Sequence, residues 1–156
     1  MRDIRTETAE LYERQADRLY RLAYARLLNA ADAEDAVAET FAKYLRKMPE
    51  FRDASHEKAW FLRVCINTCN DLARRRTVRA YTPLEELSEV LAAQEKDKSV
   101  LESVYALPEK YRMCVLLYYF EDFSVEETAK ALKISVSAVK MRLSRAREML
   151  KTVLAQ

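Results

Sequence analysis

The sequence predicts an all-α protein: two small helical domains joined by an acidic linker, the second of them a helix-turn-helix domain. The first observation is composition, because the 156-residue chain has no glycine and only three prolines, and helix formers dominate where those breakers are missing. The second is that apolar residues recur at helical spacing, and the third is that N-cap signals precede these runs. The missing glycine also excludes a glycine-rich phosphate loop and a dinucleotide-binding fingerprint.

The first domain, residues 1–80, is predicted to contain three helices. Apolar positions outline the first helix over about 6–28, and Asp32 is the predicted N-cap of a second helix that runs to Pro49. A third helix is predicted over about 56–79. Its length, roughly 35 Å at 1.5 Å per residue, leaves room for two different faces.

One face of the predicted third helix should meet the core and the other should meet solvent. The core side holds Ala59, Leu62, Ile66, Cys69 and Ala73, and the opposite side holds Trp60, Val64, Asn67, Thr68, Asp71 and Arg75. Trp60 and Val64 would then form an exposed apolar patch beside several arginines, which suits stacking on unpaired bases, and the Asn67 amide can read a base edge. The alternative is that Trp60 packs under the loop 49–55 and Asn67 only caps or bridges.

An acidic segment, residues 81–99, is predicted to link the two domains. Residues 81–108 carry six acidic and two basic side chains, whereas residues 1–80 and 109–156 each have a small excess of basic side chains. The segment has few large apolar residues, so burial cannot hold the halves together through it. We therefore expect the two domains to move independently until a partner binds them.

The second domain, residues 100–156, begins with a periodic block near Val100, and a helix is predicted from Pro108 through Phe120. A capping box is predicted to open the next helix, of about nine residues, through Ser124-Val125-Glu126-Glu127. These elements precede the most basic part of the chain.

The last helix, over about 136–154, is predicted to be basic and amphipathic, with Ser135 as its N-cap. Residues 140–151 hold five basic side chains and one acidic one, a balance that suits a polyanion. A capped short helix, a turn and this helix form a helix-turn-helix arrangement, in which the second helix enters the DNA major groove. The alternative is a solvated charged face on a packed helical hairpin.

Three cysteines and one histidine give no basis for a metal centre or an enzyme active site. Cys65 and Cys69 are four residues apart and Cys114 stands alone, so we expect buried thiols rather than the four ligands of a zinc site. No nucleophile, base and orienting group can be assembled around one histidine. We expect no cofactor, no membrane insertion and, given an odd cysteine count without a signal peptide, a cytoplasmic protein.

Two groups of motifs, taken in order, resemble the extracytoplasmic-function (ECF) group of the sigma-70 family of RNA polymerase sigma factors. The first domain resembles region 2 through 32–41, Phe51-Arg52, 59–64, Asn67, Asp71-Leu72 and 74–76. The second resembles region 4 through Leu107-Pro108, Arg112, Leu116-Leu117, 124–129, Ile134-Ser135 and 139–147. The resemblance implies a sigma factor that binds core polymerase and directs promoter-specific initiation by recognising the −35 element and by melting and recognising the −10 element.

The resemblance also implies roles for three sets of residues. Those for −10 DNA are Phe51, Arg52, Trp60, Arg63, Asn67, Asp71, Arg74 and Arg75. Those for −35 DNA are Ser135, Ser137, Ala138, Lys140, Met141, Arg142, Ser144 and Arg145. Those for the polymerase clamp helices are Asp35, Ala38, Glu39, Phe41, Ala42 and Leu45.

Within these sets, the resemblance makes Asn67 the reader of a flipped base and places Trp60 and the Phe51 loop in the wall of its pocket. The helix over 109–120 would meet the polymerase flap. The implied partners are core RNA polymerase, promoter DNA and an anti-sigma factor, which many members of the family have.

Four positions depart from the family pattern. Ala38 stands where glutamine is usual, and Tyr118 stands where a basic residue is common. Asp122 and Lys133 replace usual glycines next to turns. Each of these two residues must either accept a positive φ or change the turn.

From the residues alone, two other classes of protein remain open. A helix-turn-helix regulator would bind duplex DNA without polymerase, and an all-helical adaptor or inhibitor would bind a protein partner without DNA. The joint presence of the Trp60–Asn67 face and the basic last helix separates these classes, because regulators need only the basic helix and adaptors need neither feature.

Overall fold

The computed structural model describes residues 3–75 and 98–154, and every regular element in these two ranges is a helix or a helical turn. Contacts divide the chain into two compact units, Met1–Tyr81 (unit one) and Thr82–Gln156 (unit two). The all-α prediction is therefore confirmed. Most of the predicted linker and the predicted end of the third helix lie outside the described residues.

Between residues 3 and 75, unit one contains three long helices that pack against one another in pairs: α1 (Ile4–Leu27), α2 (Ala30–Lys47) and α3 (Ala54–Arg75). Its core side chains include Leu11, Leu19, Leu22, Tyr24, Val37, Phe61, Leu62 and Ile66. Side chains of this size contribute roughly 1.5–3 kcal/mol each when fully buried. This packing fixes the positions of the α2 and α3 surfaces described below.

The start of α2 differs from the prediction. Asn29 is the N-cap, and its side-chain oxygen accepts a hydrogen bond from the Asp32 backbone N–H at 2.9 Å. Asp32 lies one turn inside the helix and is 5% exposed. A carboxylate in the first turn is favoured by the helix dipole, so Asp32 keeps an N-terminal role although it is not the cap.

The C-terminal ends of α1 and α2 are closed without glycine. Leu28 and Met48 adopt left-handed backbone conformations, with φ of 52° and 44°. Their backbone N–H groups donate to the carbonyl oxygens of Tyr24 and Tyr44, each at 2.7 Å. These bonds satisfy carbonyls that the helix itself leaves without a partner.

The described part of unit two, residues 98–154, contains four helices: α4 (Lys98–Tyr105), α5 (Glu109–Val115), α6 (Val125–Leu132) and α7 (Val136–Leu154). A π-helical turn, Leu116–Phe120, continues α5 directly. The predicted helix through Phe120 is thus confirmed in extent, but its last turn is wider than an α-helical turn. The core of the unit includes Leu101, Val104, Cys114, Leu117, Phe123, Val139, Leu143 and Ala146.

A buried arginine joins the first two helices of unit two. Arg112 is 5% exposed, and its Nη1 donates to the carbonyl oxygens of Tyr105 and Leu107, at 3.3 and 3.0 Å. Carbonyl oxygens at the end of a helix lack intrahelical partners and carry partial negative charge. Arg112 therefore stabilises the end of α4 and holds it against α5.

The two residues that replace usual glycines keep the glycine-like backbone. Asp122 and Lys133 have φ of 57° and 59°. The bonds that close the turns are present, because Phe123 N–H donates to Leu117 O and Ile134 N–H donates to Ala129 O, both at 3.0 Å. Of the two outcomes left open by the sequence, positive φ is the one observed.

In the described ranges, no helix is long and apolar enough to cross a bilayer. The same ranges contain no group of three or more His, Cys, Asp or Glu side chains placed to hold a metal ion.

Candidate nucleic-acid interfaces

An aromatic cluster fills the space between α2, the loop that follows it and the first turns of α3. The ring centroid of Trp60 lies 5.9 Å from that of Phe51, 6.2 Å from that of Tyr44 and 5.0 Å from that of Phe61. The exposed patch predicted for Trp60 is wrong, because Trp60 is half-buried and packs against the loop residue Phe51. Trp60 instead packs under this loop, as the alternative interpretation of the sequence predicted.

The loop is fastened to α3 by a cap. The Asp53 side chain accepts a hydrogen bond from the His56 backbone N–H at 2.8 Å, and His56 Nδ1 accepts one from the Arg52 backbone N–H at 3.1 Å. The His56 ring also meets Phe51 edge-on, with centroids 5.5 Å apart. Because of this cap, α3 begins at Ala54, two residues before the prediction, and Phe51 is held beside Trp60.

Asn67 lies two helical turns after Trp60 on the same side of α3, roughly 10 Å further along the axis. It is half-buried, and its side chain makes no hydrogen bond with the described residues. Its neighbour Asn70 differs, since its Oδ1 accepts a hydrogen bond from Arg26 Nε of α1 at 3.1 Å. The Asn67 amide can therefore offer both its donor and its acceptor to a ligand.

Thr68 does not share the outer face on which the sequence placed it. It is 2% exposed, accepts a hydrogen bond from Lys43 Nζ of α2 at 2.8 Å and donates to the Val64 carbonyl at 2.8 Å. Thr68 is thus part of the α2–α3 contact, a correction to the predicted face. Ala59 and Ala73, predicted for the core, are half-buried.

The charged residues of α3 surround the Trp60–Asn67 side. Arg63 and Asp71 are half-buried, and Arg74 and Arg75 are exposed. Asp71 and Arg74 form an ion pair one turn apart. An exposed pair of this kind contributes little stability, so these side chains can rearrange when a polyanion binds.

The outer face of α2 is a second accessible surface in unit one. Asp35, Ala38, Glu39 and Leu45 are exposed, with Leu45 at 48%, and Ala42 is half-buried. Phe41 differs from the rest of this set. At 7% exposure it packs between Tyr12 and Phe61, with centroids 5.0 and 5.2 Å away, and it supports the face from below.

Tyr12 is the residue near the α2 face that sequence reasoning missed. It belongs to α1, is 53% exposed and rests on Phe41. The signal that could have found it is an aromatic residue directly after the core residue Leu11 in an otherwise charged stretch.

The last helix presents the predicted polar face. Its apolar stripe is confirmed, because Val139, Leu143 and Ala146 are 0%, 3% and 0% exposed. Ser135 caps the helix by accepting a hydrogen bond from the Ala138 N–H at 3.0 Å, and the predicted capping box of α6 is complete. Ser135, Ser137, Lys140, Met141, Ser144 and Arg145 are exposed, whereas Ala138 and Arg142 are half-buried.

Three arginines of α7 reach back to α5 and its π-turn. Arg147 Nη1 donates to the Tyr119 hydroxyl at 2.9 Å. A hydrogen bond from Arg145 lowers the pKa of the Tyr111 hydroxyl. Burial raises the pKa of the Cys114 thiol, and Arg142 partly opposes this rise. These contacts restrict the arginine side chains before any ligand arrives.

The three thiols are buried and unpaired by disulfides. A hydrogen bond with Cys65, together with burial, raises the pKa of the Cys69 thiol well above its usual range. Cys65 also lies 3.7 Å from the carbonyl oxygen of Leu19. The prediction of buried thiols is confirmed.

Comparison with known proteins matches both units. A family model described as Sigma-70 region 2 matches residues 11–79, and one described as Sigma-70, region 4 matches residues 98–150. RNA polymerase sigma factor SigV of Bacillus subtilis (strain 168) is 31% identical over 140 residues, covering 88% of this chain and 84% of that protein. ECF RNA polymerase sigma factor SigE of Mycolicibacterium smegmatis is 30% identical over 158 residues, covering 94% of this chain and 61% of that protein.

Two solved structures share the fold. The sigma factor RpoE from Bartonella quintana, in complex with the anti-sigma factor NepR, has a TM-score of 0.69 at 21% identity and covers 99% of this chain and 98% of its own. CnrH, in complex with the cytosolic domain of CnrY, has a TM-score of 0.65 at 24% identity and covers 97% of this chain and 89% of its own.

Proposed function

The chain belongs to the ECF group of the sigma-70 family of RNA polymerase sigma factors, and from this premise we propose that its two units divide the recognition of a promoter between them. As a sigma factor, it binds core RNA polymerase and directs promoter-specific initiation. Unit one would take the −10 element and unit two the −35 element, in agreement with domains 1–80 and 100–156 and a linker over 81–99.

The observation that carries the −10 assignment is the position of Asn67. Its amide is accessible and has no partner among the described residues, and it shares one side of α3 with Trp60. Extruding a base from the duplex costs a few kcal/mol. The aromatic wall and the Asn67 amide offset that cost, because both are already in place before the base binds.

The remaining −10 residues have supporting roles. Phe51 and Trp60 form the wall for the base, and Arg52, Arg63, Arg74 and Arg75 surround it with positive charge that attracts phosphates. Asp71 tethers Arg74 and is the member of the set with the opposite charge.

The −35 assignment rests on the exposed polar face of α7. Ser135 and Ser137 lie at the start of the helix, where backbone N–H groups favour phosphate. Further along, Ala138, Lys140, Met141, Arg142, Ser144 and Arg145 follow the side that would enter the major groove. Arginine can bind guanine through two hydrogen bonds.

The polymerase contacts would come from one surface in each unit. On α2, we assign the clamp-helix contact to Asp35, Ala38, Glu39, Ala42 and Leu45, with Phe41 beneath them. In unit two, α5 and its π-turn would meet the flap.

Two further proposals concern the regulation of the protein and its subcellular location. Two structures with this fold are complexes, one of them with an anti-sigma factor, and we propose that an anti-sigma factor also holds this chain inactive. We further propose that the protein acts in the cytoplasm, where bacterial RNA polymerase works, and that it has no catalytic activity of its own.

The test is transcription by the full chain with core RNA polymerase, comparing the parent with Asn67→Ala. We expect the variant to assemble with core polymerase and to unfold within about 0.5 kcal/mol of the parent, as for ordinary surface changes. Open-complex formation on duplex promoters should fall, because a lost hydrogen bond to the extruded base typically costs ~1–3 kcal/mol. A template already melted at −10 should restore much of the activity.

Asn70→Ala is the matched control, because it removes an amide one turn further along that bonds Arg26 within the fold. It should lose stability and keep promoter opening. Equal transcription from duplex promoters by parent and Asn67→Ala would contradict the assignment. Tight sequence-specific binding of duplex DNA by the parent without polymerase would point to a regulator instead.

A further inference from the structure

Among the described residues of unit one, the exposed large apolar side chains lie in the first half of α1 and at the end of α2. They are Ile4, Tyr12, Leu45 and Met48, which are between 41% and 57% exposed. Only two residues separate α1 from α2, so the helices run antiparallel and the start of α1 lies beside the end of α2. The exposed apolar side chains are therefore gathered at one end of this helix pair.

Tyr12 is held at this end by Phe41 of α2. The two ring centroids lie 5.0 Å apart, and Phe41 is 7% exposed. One side of the Tyr12 ring thus covers a buried ring, while 53% of the residue remains open to solvent. The Tyr12 hydroxyl makes no hydrogen bond with the described residues. The fold therefore fixes the position of this ring and leaves its outer side accessible to a partner.

Tyr12 extends a row of apolar residues on α2. Phe41, Leu45 and Met48 follow one another at spacings of four and three residues, which place side chains along one side of a helix. Since Tyr12 covers Phe41, the accessible members of this row are Tyr12, Leu45 and Met48, which we call the apolar strip. Contiguous apolar surface on a folded protein marks an interaction site.

The charges beside the apolar strip favour a protein partner. Arg46 follows Leu45 in the chain, and its Nη2 lies 2.9 Å from Glu39 Oε1 in an ion pair whose side chains are both exposed. This pair offers no surplus positive charge of the kind that DNA-binding surfaces have. An apolar centre with a charged rim is instead the usual anatomy of a protein–protein interface.

We propose that Tyr12 is a further contact residue for the clamp helices of core RNA polymerase, and that its ring binds them together with Leu45 and Met48. The inference rests on the polymerase contact proposed above for α2, because the apolar strip shares Leu45 with that surface and continues it onto α1. Tyrosine is among the residues that most often dominate the binding energy of an interface. Because Phe41 already orders the Tyr12 ring, the ring loses little conformational freedom when polymerase binds.

The first test measures the affinity of the full chain for core polymerase, by competition with a labelled parent chain. Tyr12→Ala should weaken binding about tenfold, as expected when an aromatic anchor is truncated. Tyr12→Phe keeps the ring and should bind within about threefold of the parent. Asp17→Ala changes an exposed residue on another side of α1 and is the control that should have no effect.

Transcription at saturation separates a lost polymerase contact from lost packing on Phe41. At a large excess of the chain every core enzyme carries a sigma factor, so Tyr12→Ala should then initiate from duplex promoters at the rate of the parent. A lower plateau would assign Tyr12 to the fold or to promoter recognition and would overturn the inference. The ratio of the two affinities should also be equal at low and high salt, because an apolar contact is not screened by ions.

A second measurement uses the parent alone, so that the folding of a variant does not enter. Hydroxyl radicals oxidise exposed tyrosine, leucine and methionine side chains, and mass spectrometry measures the oxidation at each position. Titration with core polymerase should protect Tyr12, Leu45 and Met48 together. Protection that appears only when the free chain is concentrated would identify a second copy of the chain as the occupant and overturn the inference.

Two results would overturn the inference and leave the α2 assignment intact. One is binding of core polymerase by Tyr12→Ala that equals binding by Asp17→Ala, and the other is continued oxidation of Tyr12 in holoenzyme while Leu45 is protected. If neither Tyr12→Ala nor Leu45→Ala weakens binding although the parent binds, the polymerase surface on α2 is wrong as well. A parent chain that does not bind core polymerase would remove the proposed function itself.

Discussion

In the part of the chain that the structure describes, four residues adopt a positive φ, a conformation for which chains commonly use glycine. They are Leu28, Met48, Asp122 and Lys133. A left-handed backbone costs a residue with a Cβ roughly 1–2 kcal/mol. The fold tolerates this cost because each position closes a helix or a turn with backbone hydrogen bonds.

Lys133→Gly should therefore stabilise the protein. Glycine removes the Cβ strain but adds entropy to the unfolded chain, so we expect a net gain of about 0.5–1 kcal/mol in the free energy of unfolding. Urea titration of the full chain measures it. Lys133→Ala is the control, since alanine removes the charge and keeps the Cβ. An equal gain in both variants would assign the effect to charge instead of backbone strain.

Arg145→Ala should reduce the preference of the holoenzyme for its own −35 sequence. If Arg145 binds a base through two hydrogen bonds, discrimination falls by ~1–3 kcal/mol. Competition between matched and mismatched promoters measures this. Tyr111→Phe is the control, because it removes only the hydroxyl that Arg145 contacts. A change of preference equal in both variants would show that Arg145 acts through the tyrosine, and no change in Arg145→Ala would remove it from the site.

The residue-level errors of sequence reading have one physical cause. An ideal wheel placed Thr68 outward, but the long Lys43 side chain reaches over from α2 and makes that edge of α3 an interior contact. Phe41 was assigned to a surface by its motif, yet Tyr12 covers it from α1. The burial of these two residues depends on side chains from neighbouring helices, which a helical wheel of a single helix does not include.

Among the elements, α5 is the one whose interior geometry the sequence does not reveal. Leu116–Phe120 is apolar or aromatic at every position, so its periodicity is the same for an α-turn and a π-turn. The wider turn leaves Tyr119 43% exposed and within hydrogen-bond distance of Arg147. π-turns of this kind often lie at functional sites, and here the turn belongs to the surface assigned to the polymerase flap.

The start of α3 gives the prediction at this scale. Asp53→Ala should cost about 1 kcal/mol of stability, because the side chain caps the helix, and should slow promoter opening, because the capped loop carries Phe51. Chemical denaturation and open-complex kinetics measure the two effects. Asp53→Asn is the control, since asparagine caps as well as aspartate, and it should retain both. Loss of opening with Asp53→Asn would mean that the charge itself is needed.

At the scale of the whole chain, the architecture could be predicted from the sequence because composition, local signals and motifs all indicated the same fold. Missing glycine, helical periodicity and cap signals all predicted helices, and the motifs of each half matched one family in the right order. The linker over 81–99 lies largely outside the described residues and remains a prediction. The hydrogen bonds of Glu57 with Arg14 and Gln15 could not be foreseen, because they depend on how α1 packs against the start of α3.

The free protein should bind duplex DNA weakly and with a shallow dependence on salt. The formal net charge is +2, and the five basic residues within 140–151 can neutralise only a few phosphates. We expect a log–log salt slope of about −2 to −4, measured by fluorescence anisotropy on promoter and scrambled duplexes. A steep slope, or a strong preference of the free protein for the promoter duplex, would contradict the proposal that this chain recognises promoters as part of the holoenzyme.

The buried thiols have a practical consequence. Cys65, Cys69 and Cys114 are each fully buried, and thiols buried in apolar surroundings are inert. Dyes that couple to cysteine through a maleimide should therefore modify an added surface cysteine selectively, without removal of the native ones. Glu13→Cys on α1 and Lys130→Cys on α6 change exposed positions in different units. A donor and an acceptor fluorophore there would report, by resonance energy transfer in single molecules, how the separation of the units changes when polymerase captures the chain.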